Sequence, residues 1–293
     1  MLVSIIIINY NTFTLTCDCI RSITQYVRTP YEIVLVDNCS PDDDPDEFLK
    51  LFPQITLVKN PENNGFAKGN NLGILHSKGD VVLLLNSDTY LTEDCISAPA
   101  SFVREHKNIG AAGVKLVYTD GRYQNSGRKF RNITRELLDL ARPLLYLLPY
   151  KKRAQLMLNQ YFKGDFNTEC DWVIGAYMIF RKEILEQLPE KKLDERFFMY
   201  GEDELWCYQI QQTGYQNYFL ADYTLVHIAN ASTEPSKQLR LLKLFVKHQM
   251  IIMEYMKGKG LYYYVFKIIY AAKDYTRYYI KLLVQKIFGY KIR

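Results

Sequence analysis

The chain has 293 residues, of which 48% are hydrophobic and 24% charged, and a formal net charge of +5. This is ordinary globular usage, which excludes a disordered or fibrous chain. The length suffices to bury roughly three quarters of the unfolded surface without a disulfide or zinc staple. The cysteines (Cys17, Cys19, Cys39, Cys95, Cys170 and Cys207) are scattered with no zinc-finger spacing. They read as free thiols of a reducing compartment.

The chain opens with a strand, Val3–Asn9, a β-branched run of the kind buried on both faces of a sheet. It has no charged leader and no cleavage site, so no signal peptide is expected. Apolar residues at helical spacing predict a helix over 14–26. Further strands are expected over 32–37, 55–59 and 80–85, with helices over 46–52 and 65–77 between them. This alternation implies parallel βαβ units, whose ligands sit at the carboxyl ends of the strands. The second half is less regular. Strands are expected over 112–118, 171–180 and 218–227, with short helices over 182–188 and 202–213. Segment 128–163 mixes basic residues with an apolar stretch broken by Pro143 and Pro149. Two helices, 237–256 and 261–288, close the chain, and no apolar run approaches the roughly 20 residues that span a bilayer.

Charge is unevenly spread. From Lys237 to Arg293 there are 13 Lys and Arg against Glu254 and Asp274, a net of +11, which leaves −6 for residues 1–236. Nine of the 24 tyrosines lie between Tyr255 and Tyr290. A basic, aromatic tail on an acidic body points to an anionic surface. Packing against the rest of the protein or a second subunit is the other reading. A nucleic-acid partner is not expected, because no recognised motif accompanies the charge.

Four strands in succession end in Asn and Asp: Asn9-Tyr10-Asn11, Asp37-Asn38, Asn60 to Asn71 (with Asn63, Gly65 and Asn70), and Asn86-Ser87-Asp88. Such side chains can bond a nucleobase or ribose, or hold a divalent cation, although they also simply build turns. Asp88 suits a cation shared with substrate phosphates; its alternative role is to cap a helix starting near Thr92. Glu202-Asp203-Glu204 complement a helix start, but they follow the apolar Phe197-Phe198-Met199-Tyr200, a setting that raises a carboxylate's pKa. His227 at the last strand's end is either a packed histidine or a metal ligand.

The segments VSIIIINYN, EIVLVDNCS, NPENNGFAKGNNLGI, GDVVLLLNSDTYL, WVIGAYMIFRKEIL, LDERFFMYGEDELWCYQIQQTGY and VHIANAS resemble the inverting glycosyltransferases of family 2, within them the rhamnosyltransferase-like branch of bacterial surface polysaccharide synthesis. The resemblance implies a GT-A fold, an α/β Rossmann-like mixed sheet, mainly parallel and flanked by helices. It implies a catalytic domain over 1–236, with a nucleotide-sugar half to about 120 and an acceptor half beyond, and a helical extension over 237–293. The implied reaction moves a sugar from a nucleotide diphosphate, dTDP-rhamnose or a UDP-hexose, to a saccharide hydroxyl, on a lipid-linked acceptor at the inner face of the cell membrane. Asn9, Tyr10, Asn11, Asp37, Asn63, Gly65, Asn70, Asn86 and Asp88 would bind the donor. Asp88 and His227 would hold Mn²⁺ or Mg²⁺, Asp203 with Glu202 would supply the base, and Trp172, Gly175 and Ala176 would line the acceptor side. A nucleotidyltransferase or a non-catalytic nucleotide-sugar-binding protein are the competing readings. The sequence departs from the pattern at Leu205 and Gln209, where the family often carries Asp and Arg.

Overall fold

The structure is a computed structural model that describes residues 1–228 and 235–288. It divides into two units, Met1–Phe130 with Ala154–Ala229, and Arg131–Arg153 with Asn230–Arg293. Segment 131–153, which the sequence reading assigns to the acceptor half, thus groups with the C-terminal helices. The last four residues of the VHIANAS motif, 229–232, lie outside the described residues.

The first unit is built on strands β1 (Val3–Asn9), β2 (Tyr31–Asp37), β3 (Thr56–Lys59), β4 (Val81–Asn86), β5 (Thr89–Leu91), β6 (Ile109–Val117), β7 (Tyr123–Gln124), β8 (Gly127–Arg128), β9 (Thr168–Cys170), β10 (Trp172–Val173), β11 (Tyr177–Arg181) and β12 (Gln216–His227). Its main sheet runs β3-β2-β1-β4-β11-β6-β12-β5, with β7 on β6 and β9 on β12, while β8 and β10 pair separately. The pairs among β3, β2, β1 and β4 are parallel, as is β6 with β12, whereas β11 and β5 run antiparallel to their neighbours. The central strands are apolar on both faces because helices cover both: Ile5, Ile6, Ile7, Leu83 and Leu84 are fully buried.

The helices of this unit are α1 (Phe13–Tyr26), α2 (Asp46–Leu51), α3 (Phe66–Leu75) and α4 (Ser97–Glu105). Helix α1 buries Cys19, Ile20 and Ile23 in the core shared with the sheet. At Gly73 of α3 a Cβ would sit 2.4 Å from the Ile6 side chain, so glycine lets this helix approach the sheet closely. All six cysteines are free thiols and five of them are buried.

Two expectations are corrected. The strand expected over 171–180 is two strands, because the chain turns at 174–176. The helix that Asp88 could have capped does not start at 92; β5 follows Asp88 and α4 begins only at Ser97. Segment 128–163 holds four short helices, α5 (Ile133–Leu140), α6 (Arg142–Leu145), α7 (Tyr150–Leu156) and α8 (Leu158–Tyr161), with Pro143 in the first turn of α6 and Pro149 just before α7. Helix α9 (Glu202–Gln212) completes the first unit, and α10 (Pro235–Lys257) and α11 (Leu261–Phe288) belong to the second.

Candidate active site

Register assembles the site. Strand β1 lies between β2 and β4 in parallel, with Asn9 opposite Asp37 and Ile8 opposite Asn86. Three polar strand ends therefore open on one sheet edge. Buried Asn9 donates from Nδ2 to Asp37 Oδ1 at 2.8 Å and to Ser40 Oγ at 3.1 Å. Its Oδ1 accepts from the hydroxyls of Thr12 and Thr16, both at 3.0 Å. Both ends of the Asn9 amide thus serve to shape the loop, and Asp37 accepts from Ser40 on the same account. Asn11, at φ +52°, exchanges hydrogen bonds with Asp42, and Tyr10 beside it is exposed.

The next loop is tied in the same way. Asn38 Nδ2 donates to Asn63 Oδ1 at 2.8 Å, which also accepts from the Gly65 amide at 3.1 Å. Asn70 Nδ2 caps the Phe66 carbonyl at 2.9 Å. Gly65 is required: its φ is +89°, and a Cβ there would fall 2.3 Å from the Phe198 carbonyl oxygen. The Phe66 amide donates to that same carbonyl at 2.8 Å, so this loop is stitched to the segment that leads into the acids.

Asp88 and His227 meet because β12 pairs antiparallel with β5, which sets His227 opposite Thr89. Asp88 Oδ1 and His227 Nε2 are 3.3 Å apart, and Asn86 Nδ2 lies 3.5 Å from the same ring nitrogen. Gln124, on β7, holds the other side of the ring. Its Nε2 donates to the His227 carbonyl at 2.6 Å, which orients the amide, and its Oε1 then faces His227 Nδ1 at 2.8 Å. An amide oxygen only accepts, so Nδ1 carries a proton, and in the neutral ring this leaves Nε2 as the ligand nitrogen on the Asp88 side. A carboxylate and an imidazole oriented through its far nitrogen are a donor set that fits a divalent metal. Among the described residues no group of three or more His, Cys, Asp and Glu gathers.

The acids arrive through a strained turn. Tyr200 has φ +70° and Gly201 φ +98°, and α9 begins at once with Glu202. Asp203 Oδ2 accepts from the Gly175 amide at 3.1 Å, and Oδ1 from the Glu204 amide at 2.9 Å. The Ala176 carbonyl in turn accepts from the Asn86 amide at 3.1 Å. The turn that breaks the expected strand therefore bridges Asp203 to the start of Asn86-Ser87-Asp88. At Gly175 a Cβ would come 3.2 Å from the Phe66 ring. Burial pushes the Asp203 carboxyl above its ordinary value, against the Gly175 amide and Arg128, which pull it down. Glu202 is 5% exposed and its Oε2 has no partner among the described residues. Burial, and secondly the charge of Asp203, push Glu202 up to about 8. Carboxyls raised in this way at a helix start are candidates for an acid–base role.

Buried Trp172 lies under the Arg128 guanidinium, 4.8 Å from ring centroid to Cζ. The departures at 205 and 209 have a local account. Leu205 is fully buried, and Gln209 donates to Asp194 Oδ2 at 3.1 Å on the preceding loop. Gln124, Arg128 and Phe198 are contributors that the sequence reading missed. Phe198 alone had a signal, as part of the apolar wall before the acids.

Residues 4–188 match Glycosyl transferase family 2. The chain is 24% identical over 177 residues to the uncharacterized glycosyltransferase YwdF of Bacillus subtilis, covering 59% of this chain and 66% of that one. It spans 32% and 25% of the lengths of two further curated relatives. A mannosyltransferase from Pyrobaculum calidifontis, solved with GDP-Man and Mn²⁺, superposes with a TM-score of 0.61 at 17% identity over 98% of this chain and 76% of its own. Staphylococcus aureus TarS, residues 1–349 with UDP-GlcNAc, gives 0.56 at 17% identity over 96% and 73%. The mixed, mainly parallel sheet expected from the resemblance is the GT-A fold of these structures. With the family match running from the first strand end through the Gly175-Ala176 turn, the chain belongs to glycosyl transferase family 2.

Proposed function

We propose that the protein transfers a sugar from a nucleotide-diphosphate donor to a hydroxyl of a saccharide acceptor, with inversion at the anomeric carbon, in the synthesis of a cell-surface polysaccharide. The observation that carries this reading is the bridge from Asp203 through Gly175-Ala176 to Asn86, which gathers a raised carboxyl and the Asp88–His227 pair on one sheet edge.

Asp203 acts as the base. An acceptor hydroxyl is far too weak an acid to ionise at neutral pH, so its proton passes to Asp203 as the new C–O bond forms, a contribution of about 10²–10⁴-fold. The Gly175 amide fixes the direction of the carboxylate, and its burial raises its proton affinity. Glu202 beside it keeps the pair from carrying two charges at once and so tunes Asp203. Attack from the face opposite the leaving group needs no covalent intermediate.

Asp88 and His227 would hold Mn²⁺ or Mg²⁺, and such an ion, when bound, neutralises charge developing on the departing diphosphate. Tyr10 and Asn11 form the exposed rim of the donor side, over the floor built by Asn9, Asp37, Asn63, Gly65 and Asn70. Trp172 and the 175–176 turn line the acceptor side. The donors in this reading are dTDP-rhamnose or a UDP-hexose, and the acceptor is lipid-linked.

A thermal-shift panel of nucleotide sugars with Mn²⁺ tests the proposal, because a ligand at 100 times its Kd adds about 2.7 kcal/mol of stability. The true donor raises the Tm and is turned over, slowly to water when no acceptor is present. A panel in which no nucleotide sugar shifts the melt, or in which a binder is never turned over, refutes it.

A further inference from the structure

Among the described residues no helix is long and apolar enough to cross a membrane. Helix α11 is nonetheless apolar on the side it shows to water. Leu261, Val265, Ile268, Ile280, Leu283 and Ile287 follow one another on a stripe at helical spacing, with Ala272 and Thr276 midway, and all are exposed. Leu261 is 82%, Ile268 69% and Ile287 62% exposed. The buried stripe of the same helix holds Tyr263, Phe266 and Tyr270 and then a charge, Lys273, whose side chain is 1% exposed. Lys273 bonds to Glu136 and, at 2.8 Å, to Asp139, both on α5. Helix α5 repeats the inversion: its two carboxylates face inward while Leu137 and Leu140 are 50% and 57% exposed. A water-soluble helix does the reverse.

We propose that this unit lies on an anionic lipid bilayer, with the outward stripe of α11 sunk at the headgroup boundary. Charge selects the occupant. Residues 131–153 and 230–293 carry 19 Lys and Arg against 5 Asp and Glu, a net of +14, while the remainder of the chain is −9. A second copy presenting the same surface would bring like charge against like charge, and a neutral apolar partner would leave the charge unanswered. An anionic bilayer satisfies both features, since apolar area and basic flanks add in interfacial binding. Exposed Lys267 and Lys286 and the exposed tyrosines Tyr262, Tyr264 and Tyr279 suit the headgroup layer. The helix therefore lies in the plane of the surface. Lipid binding by this unit is independent of sugar transfer and is read without catalysis.

Flotation of the full chain with vesicles of equal parts phosphatidylglycerol and phosphatidylcholine tests it. The protein floats with these vesicles and stays below with phosphatidylcholine alone, and added salt weakens the binding. Replacing the stripe by Ile268→Asp, Ile280→Asp and Leu283→Asp together lowers vesicle affinity at least about 10-fold. These positions are exposed, so far-ultraviolet circular dichroism and Tm stay unchanged. Lys267→Gln with Lys286→Gln, which spares the stripe, gives a smaller loss and a shallower salt dependence. Failure of the wild-type chain to float, or equal flotation of the stripe variant, overturns the proposal. So does sedimentation showing a dimer without lipid that the stripe substitutions dissociate, because the stripe would then be a self-association surface.

Discussion

Glu136 and Asp139 in the C-terminal unit are as deeply buried as Glu202 in the first unit, yet their surroundings are opposite. Lys273 reaches both, Arg131 bonds Glu136 at 3.1 Å, and Arg142 and Arg277 bond Asp139. Burial would raise the Asp139 carboxyl, but the hydrogen bonds of Arg277, Arg142 and Lys273 outweigh it and hold the group well below the ordinary carboxylate range. Among the described residues Glu202 and Asp203 face no such cations at bonding distance, and both are raised. One pair is compensated and holds two helices together. The other is left poised, and a carboxyl that gives or takes a proton near neutrality is what acid–base chemistry needs.

The largest expected effect sharpens this contrast at its catalytic end. Asp203→Asn keeps the shape and removes the proton acceptor, so transfer falls by about 10²–10⁴-fold while donor binding stays within a few-fold. Single-turnover kinetics beside donor titration measures the two separately. A variant that keeps a tenth of wild-type turnover breaks the contrast, since the raised pair would then have no chemical task.

The structural end is tested by Lys273→Met. Arg131 would still face Glu136, and Arg142 and Arg277 would still face Asp139, but the buried ammonium the two carboxylates share would be gone, at a cost of about 1.5–3 kcal/mol, the range for a hydrogen bond to a charged group. Adding Glu136→Gln and Asp139→Asn recovers much of the loss. Denaturant unfolding reads both, and a Lys273→Met variant as stable as wild type would mean that the network carries no weight.

A smaller effect belongs to Gln124, which touches His227 from behind. Gln124→Ala frees the ring to flip or change tautomer, and loss of such an orienting partner typically costs about 10–100-fold in metal affinity. Mn²⁺ titration followed by electron paramagnetic resonance gives the affinity, and nitrogen chemical shifts of the metal-free His227 ring report the tautomer. Unchanged affinity with an unchanged tautomer removes Gln124 from the site.

These residues also show what could be read ahead of the structure. The parallel core was legible because β-branched runs such as Val3–Asn9 alternate with helices, and such sheets put all carboxyl ends on one edge; Asn9, Asp37, Asn86 and Asp88 could be collected on that rule alone. Gln124 could not, because it sits on a two-residue strand and its partner is 103 positions away. Gly175 looked like part of a strand, and only the turn it makes shows that its amide is aimed at Asp203. The pairing of 131–153 with the tail was hidden for a different reason. Charges on a helix read as its wet face, so the inversion of Glu136, Asp139 and Lys273 ran against the pattern that composition suggests.

Glu202 gives the finest test of the contrast, through stability and not turnover. Its ordinary value is 4.5 and the fold raises it to about 8. Below the ordinary value both folded and unfolded chains hold the proton, and the group adds no pH dependence. Between the two values the unfolded chain releases the proton while the folded one keeps it, so stability declines as pH rises through this window. Glu202→Gln, neutral at every pH and close in shape, escapes that decline. Its Tm therefore matches wild type near pH 4.5 and moves progressively above it toward pH 8. For Asp139 the sign is reversed: its depressed value adds stability above the ordinary carboxylate range and loses it only in strong acid. Melting curves of wild type and Glu202→Gln across that interval decide the matter. Parallel curves would mean that Glu202 ionises as an ordinary carboxylate, and the distinction between a poised pair and a compensated one would fall with it.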